Sequence, residues 1–133
     1  IDVEKQDDTL KLIFEDSSSP NSFIIISKSI LTLNNLENGY LNLNIRTLEK
    51  DKPLYLIFMC GFDCMGTLNF TDFIEKSQSF REYSIPLKCL TDQGVDLSKV
   101  NIPFILMGEG PLEIDFKRID FTKGKKGKTL NCN

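Results

Sequence analysis

The sequence predicts an all-β fold, an antiparallel β-sandwich carrying one or two short helical turns. Three observations support it. The 133 residues include no Ala but 14 Ile and 10 Phe, a composition poor in helix formers and rich in strand formers. Short apolar or alternating runs are separated by polar turns, and no long amphipathic helix interrupts them. Near the end of the chain, Leu112, Ile114 and Phe116 share one phase while Ile119 and Phe121 share the other. A single phase change of that kind is the mark of a β-bulge.

Residues 10–15 have strand composition, and Ser17-Ser18-Ser19-Pro20-Asn21 reads as a loop. Residues 23–26 form a β-branched run, and Asn38-Gly39 is a turn. Residues 40–48 then alternate: Leu41, Leu43 and Ile45 point one way, Asn42, Asn44 and Arg46 the other. This is the pattern of a strand with one wet face. After a turn at 50–53, residues 54–60 are continuously apolar and read as a central strand buried on both faces. Residues 61–66 form a loop bracketed by cysteines, and 71–76 a short helix with Thr71 as N-cap. Residues 83–87 make a strand that Pro86 ends at an edge or bulge. Residues 96–100 form one helical turn, 104–107 a buried strand, 108–111 a turn and 112–121 the last strand.

The length suits one domain with a real core. The expected division is a sandwich over 1–122 and a basic tail over 123–133, where Lys123, Lys125, Lys126 and Lys128 cluster. Without those four, 12 basic residues face 19 acidic ones, a net charge of −7. Such a body repels phosphate backbones, so nucleic acid is not an expected partner. No apolar run is long enough for a transmembrane segment. The chain starts at Ile1 rather than Met, which points to a processed or excised chain. With no His, neither a Ser–His–Asp nor a Cys–His catalytic pair can form.

Cys60, Cys64, Cys89 and Cys132 allow three complete pairings. Their spacing is neither that of a redox dithiol nor that of two close zinc-ligand pairs. The first expectation is a Cys60–Cys64 bridge pinning its loop, with Cys89 either a buried thiol or bridged to Cys132. Cys64–Cys89 is the competing pairing. Disulfides imply the periplasm or the exterior.

The stretch 83–121 carries a recognisable order of segments. It runs Ile85-Pro86-Leu87-Lys88-Cys89-Leu90, Gly94-Val95-Asp96-Leu97-Ser98-Lys99-Val100, Pro103-Phe104-Ile105-Leu106, Gly110-Pro111-Leu112-Glu113-Ile114 and Ile119-Asp120-Phe121. Upstream lie Cys60-Gly61-Phe62-Asp63-Cys64-Met65-Gly66 and Gly39-Tyr40-Leu41-Asn42-Leu43-Asn44-Ile45-Arg46. Together these resemble the C-terminal galactose-binding-like, ExoP-type domain of bacterial family 3 glycoside hydrolases, the exo-β-glucan glucohydrolases. The resemblance implies a jelly-roll sandwich appended to catalytic domains that hold the nucleophile and acid. Its implied role is ancillary, in β-glucan binding or in packing on the catalytic domains, with no catalytic residue of its own. Where that family commonly carries Trp, this chain has Phe80 and Tyr83.

Sugar recognition needs exposed flat aromatics beside groups that bind hydroxyls. The candidates are Tyr40, Phe62 and Tyr83 with Asn42, Asn44 and Arg46, and Tyr55 and Phe80 are further aromatics. Phe62 stands out because it lies between two cysteines. A structural Ca²⁺ would draw on Asp2, Glu4, Asp7, Asp8, Asp115 and Asp120 if the first and last strands pair. Solvated surface charge is the plainer role for these carboxylates. The alternative function is a stand-alone protein-interaction or adhesion sandwich without sugar binding.

Overall fold

The structure, a computed structural model, describes residues 10–15, 21–25, 33–51 and 53–132. Among the described residues, nine strands and one helix follow in the order β1 (Leu10–Phe14), β2 (Asn21–Ile25), β3 (Tyr40–Lys50), β4 (Leu54–Met59), β5 (Met65–Asn69), β6 (Arg81–Pro86), α1 (Lys88–Thr91), β7 (Ile102–Gly108), β8 (Leu112–Thr122) and β9 (Lys128–Thr129). A 3-10 turn, Asn34–Leu36, precedes β3. The strands form a five-stranded sheet, β1-β8-β3-β6-β9, and a four-stranded sheet, β2-β7-β4-β5. All pairings are antiparallel except β6 with β9. The β-sandwich expected from sequence is the observed fold.

The core lies between the sheets. Leu41, Leu43 and Ile45 of β3 face Leu56 and Phe58 of β4 across it within one buried cluster. Phe23, Phe104 and Phe116 meet at centroid distances of 5.8–6.3 Å, and Phe73 sits between Phe70 (5.7 Å) and Tyr83 (5.2 Å). Aromatic rings of this number fill a sandwich core without long helices.

The expected bulge is present. Asn44 pairs with Arg118 and Ile45 with Phe116, so Lys117 is the extra residue on β8. It lets both Phe116 and Ile119 face inward, 1% and 4% exposed. A second register shift, between Thr47 and Glu49, leaves Leu48 as an extra residue on β3.

Other expectations need correction. β4 alternates rather than being buried on both faces: Leu54, Leu56 and Phe58 are buried while Tyr55 is exposed and Ile57 and Met59 are half-buried. It is central in its sheet, but its outer face has no covering layer among the described residues. Residues 65–69 form strand β5, not a loop running to Gly66. A side chain at Gly66 would collide with Val95 and Leu90, so the strand approaches the α1 region at van der Waals distance. Residues 71–76 make turns without a helix. Thr71 Oγ1 accepts from the Leu54 backbone N (3.1 Å), and Thr71 N donates to Asn69 Oδ1 (2.8 Å), so the cap chemistry ties the turn to β4. Residues 96–100 are a turn around Asp96, whose Oδ1 accepts from Ser98 N and Oγ. The helix is α1 instead, ending in a turn where Gly94 takes φ +97°. Asn21 opens β2. Residues 17–20 and Ile26 lie outside the described residues.

The basic segment after β8 joins the sheet: β9 pairs with β6, Tyr83 opposite Lys128 and Ser84 opposite Thr129. Cys89–Cys132 anchors it to α1, and Cys60–Cys64 closes the loop between β4 and β5. The expected Cys60–Cys64 bridge is therefore formed, Cys89 is bridged to Cys132 rather than left as a buried thiol, and all four cysteines are used. Disulfides belong to oxidising compartments, which places the chain among secreted or extracellular proteins. Among the described residues, no helix is long and apolar enough to cross a membrane.

Candidate functional site

The outer face of the five-stranded sheet carries most of the residues singled out from sequence. Asn42, Asn44 and Arg46 do project away from the core, but the face is not simply wet. Asn42 is fully buried. Its Nδ2 donates to Asp120 Oδ1 (3.2 Å) and Thr122 Oγ1 (2.6 Å), and its Oδ1 accepts from Ser84 Oγ (2.8 Å). Ser84 Oγ in turn accepts from the backbone N of Lys126 and Gly127. The segment leading into β9 thus covers Asn42, and its amide is spent inside the protein.

Arg46 is held as firmly. Its Nε and Nη2 both donate to Asp115 Oδ2 (3.0 and 2.6 Å), and Lys11 Nζ lies 2.9 Å from Asp115 Oδ1. Burial pushes the Asp115 carboxyl up, but the hydrogen bonds from Lys11 and Arg46 outweigh it and hold the group below its usual range. Phe80 folds back over this cluster, 4.7 Å from the Arg46 guanidinium carbon and 5.7 Å from Lys117 Nζ. Asn44 lies between Glu82 and Arg118, which pair at 2.6 Å. Tyr40, half-buried, begins the same row.

Tyr83 belongs elsewhere. It is 2% exposed, and its hydroxyl accepts from Glu75 N (3.1 Å). Its inward phase on β6 makes it a core residue, so it offers no face to a sugar, and Asn42 offers no free amide. Of the carboxylates considered for Ca²⁺, Asp115 faces Lys11 and Arg46, and Asp120 faces Lys126 and Arg118. β1 and β8 do pair, but these oxygens meet cations. Asp2, Glu4, Asp7 and Asp8 lie outside the described residues.

The outer face of the four-stranded sheet has the opposite character. Tyr55 is 37% exposed and sits between Asn69 and Met107. Ile57 lies between Thr67 and Ile105, and Met59 opposite Met65, which is 57% exposed. Beyond the end of β4, Phe62 is fully exposed at the tip of the Cys60–Cys64 loop. That loop is further fixed by Cys60 N to Cys64 O (2.8 Å) and Gly61 N to Asn101 Oδ1 (3.1 Å). Phe62 was visible from its place between cysteines. The apolar face beside it was not, because continuous apolarity over 54–60 hides the alternation. Of the sequence candidates, Tyr40, Asn42, Asn44 and Arg46 share one face, while Phe62 stands with Tyr55 on the other sheet.

Residues 1–121 match the Exop_C family, described as galactose-binding domain-like. The chain belongs to the Exop_C family. Among solved structures, this Exop_C domain is similar to the family 30 carbohydrate-binding module of the cellulosomal cellulase Cel9D-Cel44B of Clostridium thermocellum. The two share 17% identity at a TM-score of 0.73, over 89% of this chain and 76% of that one. It is also similar to the extra C-terminal domain of exo-1,3/1,4-β-glucanase ExoP from a Pseudoalteromonas species. There the identity is 18% and the TM-score 0.63, over 84% of this chain and 64% of that one. In the structure of the ExoP exo-glucanase itself, the matching part is 14% of the chain (19% identity, 84% of this chain, TM-score 0.59). At these identities the likeness is one of fold. No curated protein matches the Exop_C domain in sequence.

Proposed function

We propose that the chain is a non-catalytic ancillary module that assists β-glucan hydrolysis by a family 3 β-glucosidase or exo-glucanase in the periplasm or outside the cell. One observation carries this reading: Phe62 stands fully exposed on a disulfide-pinned loop, at the end of a face that also presents Tyr55. An aromatic ring held rigidly in solvent contributes nothing to the core. It is ready to cover the apolar face of a sugar ring with little ordering cost. Asn69 and Thr67, exposed beside Tyr55 and Ile57, supply hydroxyl partners. With no Trp in the chain, affinity in the millimolar range is expected, about −4 kcal/mol.

Ile57, Met59, Met65 and Met107 on the same face favour a second reading, in which it packs against the catalytic domains or another protein. NMR titration with β-1,3- and β-1,4-gluco-oligosaccharides, with and without Ca²⁺, separates the two. Saturable shifts at Tyr55 and Phe62, weakened about tenfold in Phe62→Ala, support glycan binding. No shift at millimolar sugar refutes it and leaves protein packing, including the stand-alone interaction module.

A further inference from the structure

The two disulfides are not equivalent, and the turn after α1 makes the difference. In the Cys60–Cys64 bridge, Cys60 is 7% exposed and Cys64 is half-buried. The Asp96 backbone N–H donates to Cys60 Sγ (3.3 Å). Gly94 O lies 3.7 Å from Cys64 Sγ. One short segment therefore aims a donor at one sulfur and a carbonyl oxygen at the other. An N–H stabilises negative charge on the sulfur it touches, and a carbonyl oxygen opposes it. When the bond breaks, its electron pair is directed to Cys60.

The loop has a second set of ties that do not need the bridge. Cys60 N donates to Cys64 O (2.8 Å), Gly61 N donates to Asn101 Oδ1 (3.1 Å), and Met59 pairs with Met65 next to the loop. A reduced Cys60 is a small apolar residue suited to the core cluster it already occupies. Oxidised and reduced forms can thus share one fold, which makes exchange reversible. Cys89–Cys132 differs. Cys132 is exposed, but Cys89 is 2% exposed within the core cluster. Among the described residues, neither of these sulfurs accepts a hydrogen bond. A thiolate expelled at Cys89 forms in apolar surroundings without a donor, and a poorer leaving group leaves more slowly.

We infer that Cys60–Cys64 is a thiol-exchange site that takes a small thiol or dithiol at Cys64. The incoming thiolate attacks Cys64 Sγ and forms a mixed disulfide there. The Cys60–Cys64 bond breaks, and its electron pair goes to Cys60 Sγ. With a dithiol, the second thiolate then attacks its own partner sulfur in the mixed disulfide and releases Cys64 as a thiolate. The dithiol leaves as a disulfide, oxidised by two electrons, and the two cysteines take up protons from water. Phe62, between the two sulfurs, passes from a covalently closed ring to one held by backbone hydrogen bonds.

The test exposes the whole chain, without denaturant, to dithiothreitol for graded times. Acid stops the exchange, and free thiols are mapped by alkylation and mass spectrometry. Cys60 and Cys64 are expected to be freed about tenfold faster than Cys89 and Cys132, with the amide spectrum still that of a folded protein. Exposure alone predicts the opposite order, because Cys132 is the exposed cysteine. In a second arm glutathione replaces dithiothreitol, and the acid-trapped mixed disulfide is expected on Cys64. Three results overturn the assignment: Cys89–Cys132 opening first or in step, glutathione carried on Cys60, or loss of the folded spectrum when Cys60–Cys64 alone is open.

Discussion

The side chain of Gln93 takes the place of a neighbouring strand for Thr67. Its Oε1 accepts from Thr67 N and its Nε2 donates to Thr67 O, both at 2.8 Å. β5 is an edge strand, and an unguarded edge is a template for pairing with another chain. One amide, delivered by the turn after α1, closes the middle of that edge.

Gln93→Ala reopens it. Two exposed hydrogen bonds are lost, and a stability decrease of about 1 kcal/mol is expected. The larger effect is on solubility. Sedimentation analysis should show concentration-dependent association in the variant and not in the parent, and equal association in both rejects the guarding role.

Acid stability follows from Asp115. Its carboxyl titrates in the folded protein below its ordinary value of 3.8. A depressed carboxyl stabilises the fold fully above that ordinary value, and the contribution is lost as pH falls through the folded one. Glu75 and Asp96 are depressed as well, by Lys128 and by Ser98. Lys11, on the same cluster, is raised above 10.5 by hydrogen bonds from its amine to Glu113 and Asp115, so its share persists until strongly alkaline pH. The melting temperature is expected to be level from pH 5 to 8 and to fall below pH 4. In Asp115→Asn that acid slope should be shallower, and an unchanged slope removes Asp115 as its cause.

Thr47 holds a core position on β3 at 1% exposure, and its Oγ1 has no hydrogen-bond partner among the described residues. Val has nearly the same shape without the hydroxyl. Thr47→Val should raise stability by about 1 kcal/mol, read as a higher denaturant midpoint at unchanged slope. A lower midpoint would mean that the hydroxyl is satisfied by an internal water.

Strands whose buried side chains alternate were legible in the sequence. The row Leu41, Leu43, Ile45 and the phase change across Lys117 both appear in the structure where the period of two places them. β5 was illegible because its inward positions are Gly66 and Leu68, and a glycine leaves no apolar mark. α1 has four residues, too few to show a helical period. The site divides in the same way. Alternation told which way Asn42 and Arg46 point, but not that residues far along the chain would cover them. Ser84 reaches Asn42 across 42 positions and Asp115 reaches Arg46 across 69. Tyr83 read as a surface aromatic because neither its strand phase nor its bond to Glu75 N is written locally.

The Cys89–Cys132 bridge also decides what a cut in the basic segment can do. Lys123 and Lys125 are exposed and are natural points of attack for a lysine-directed protease. After hydrolysis at either site, residues 126–132 remain tied to α1 through Cys132. The nicked protein is then two polypeptides that still travel together under non-reducing conditions. Shedding of that piece requires a reductant as well as a protease.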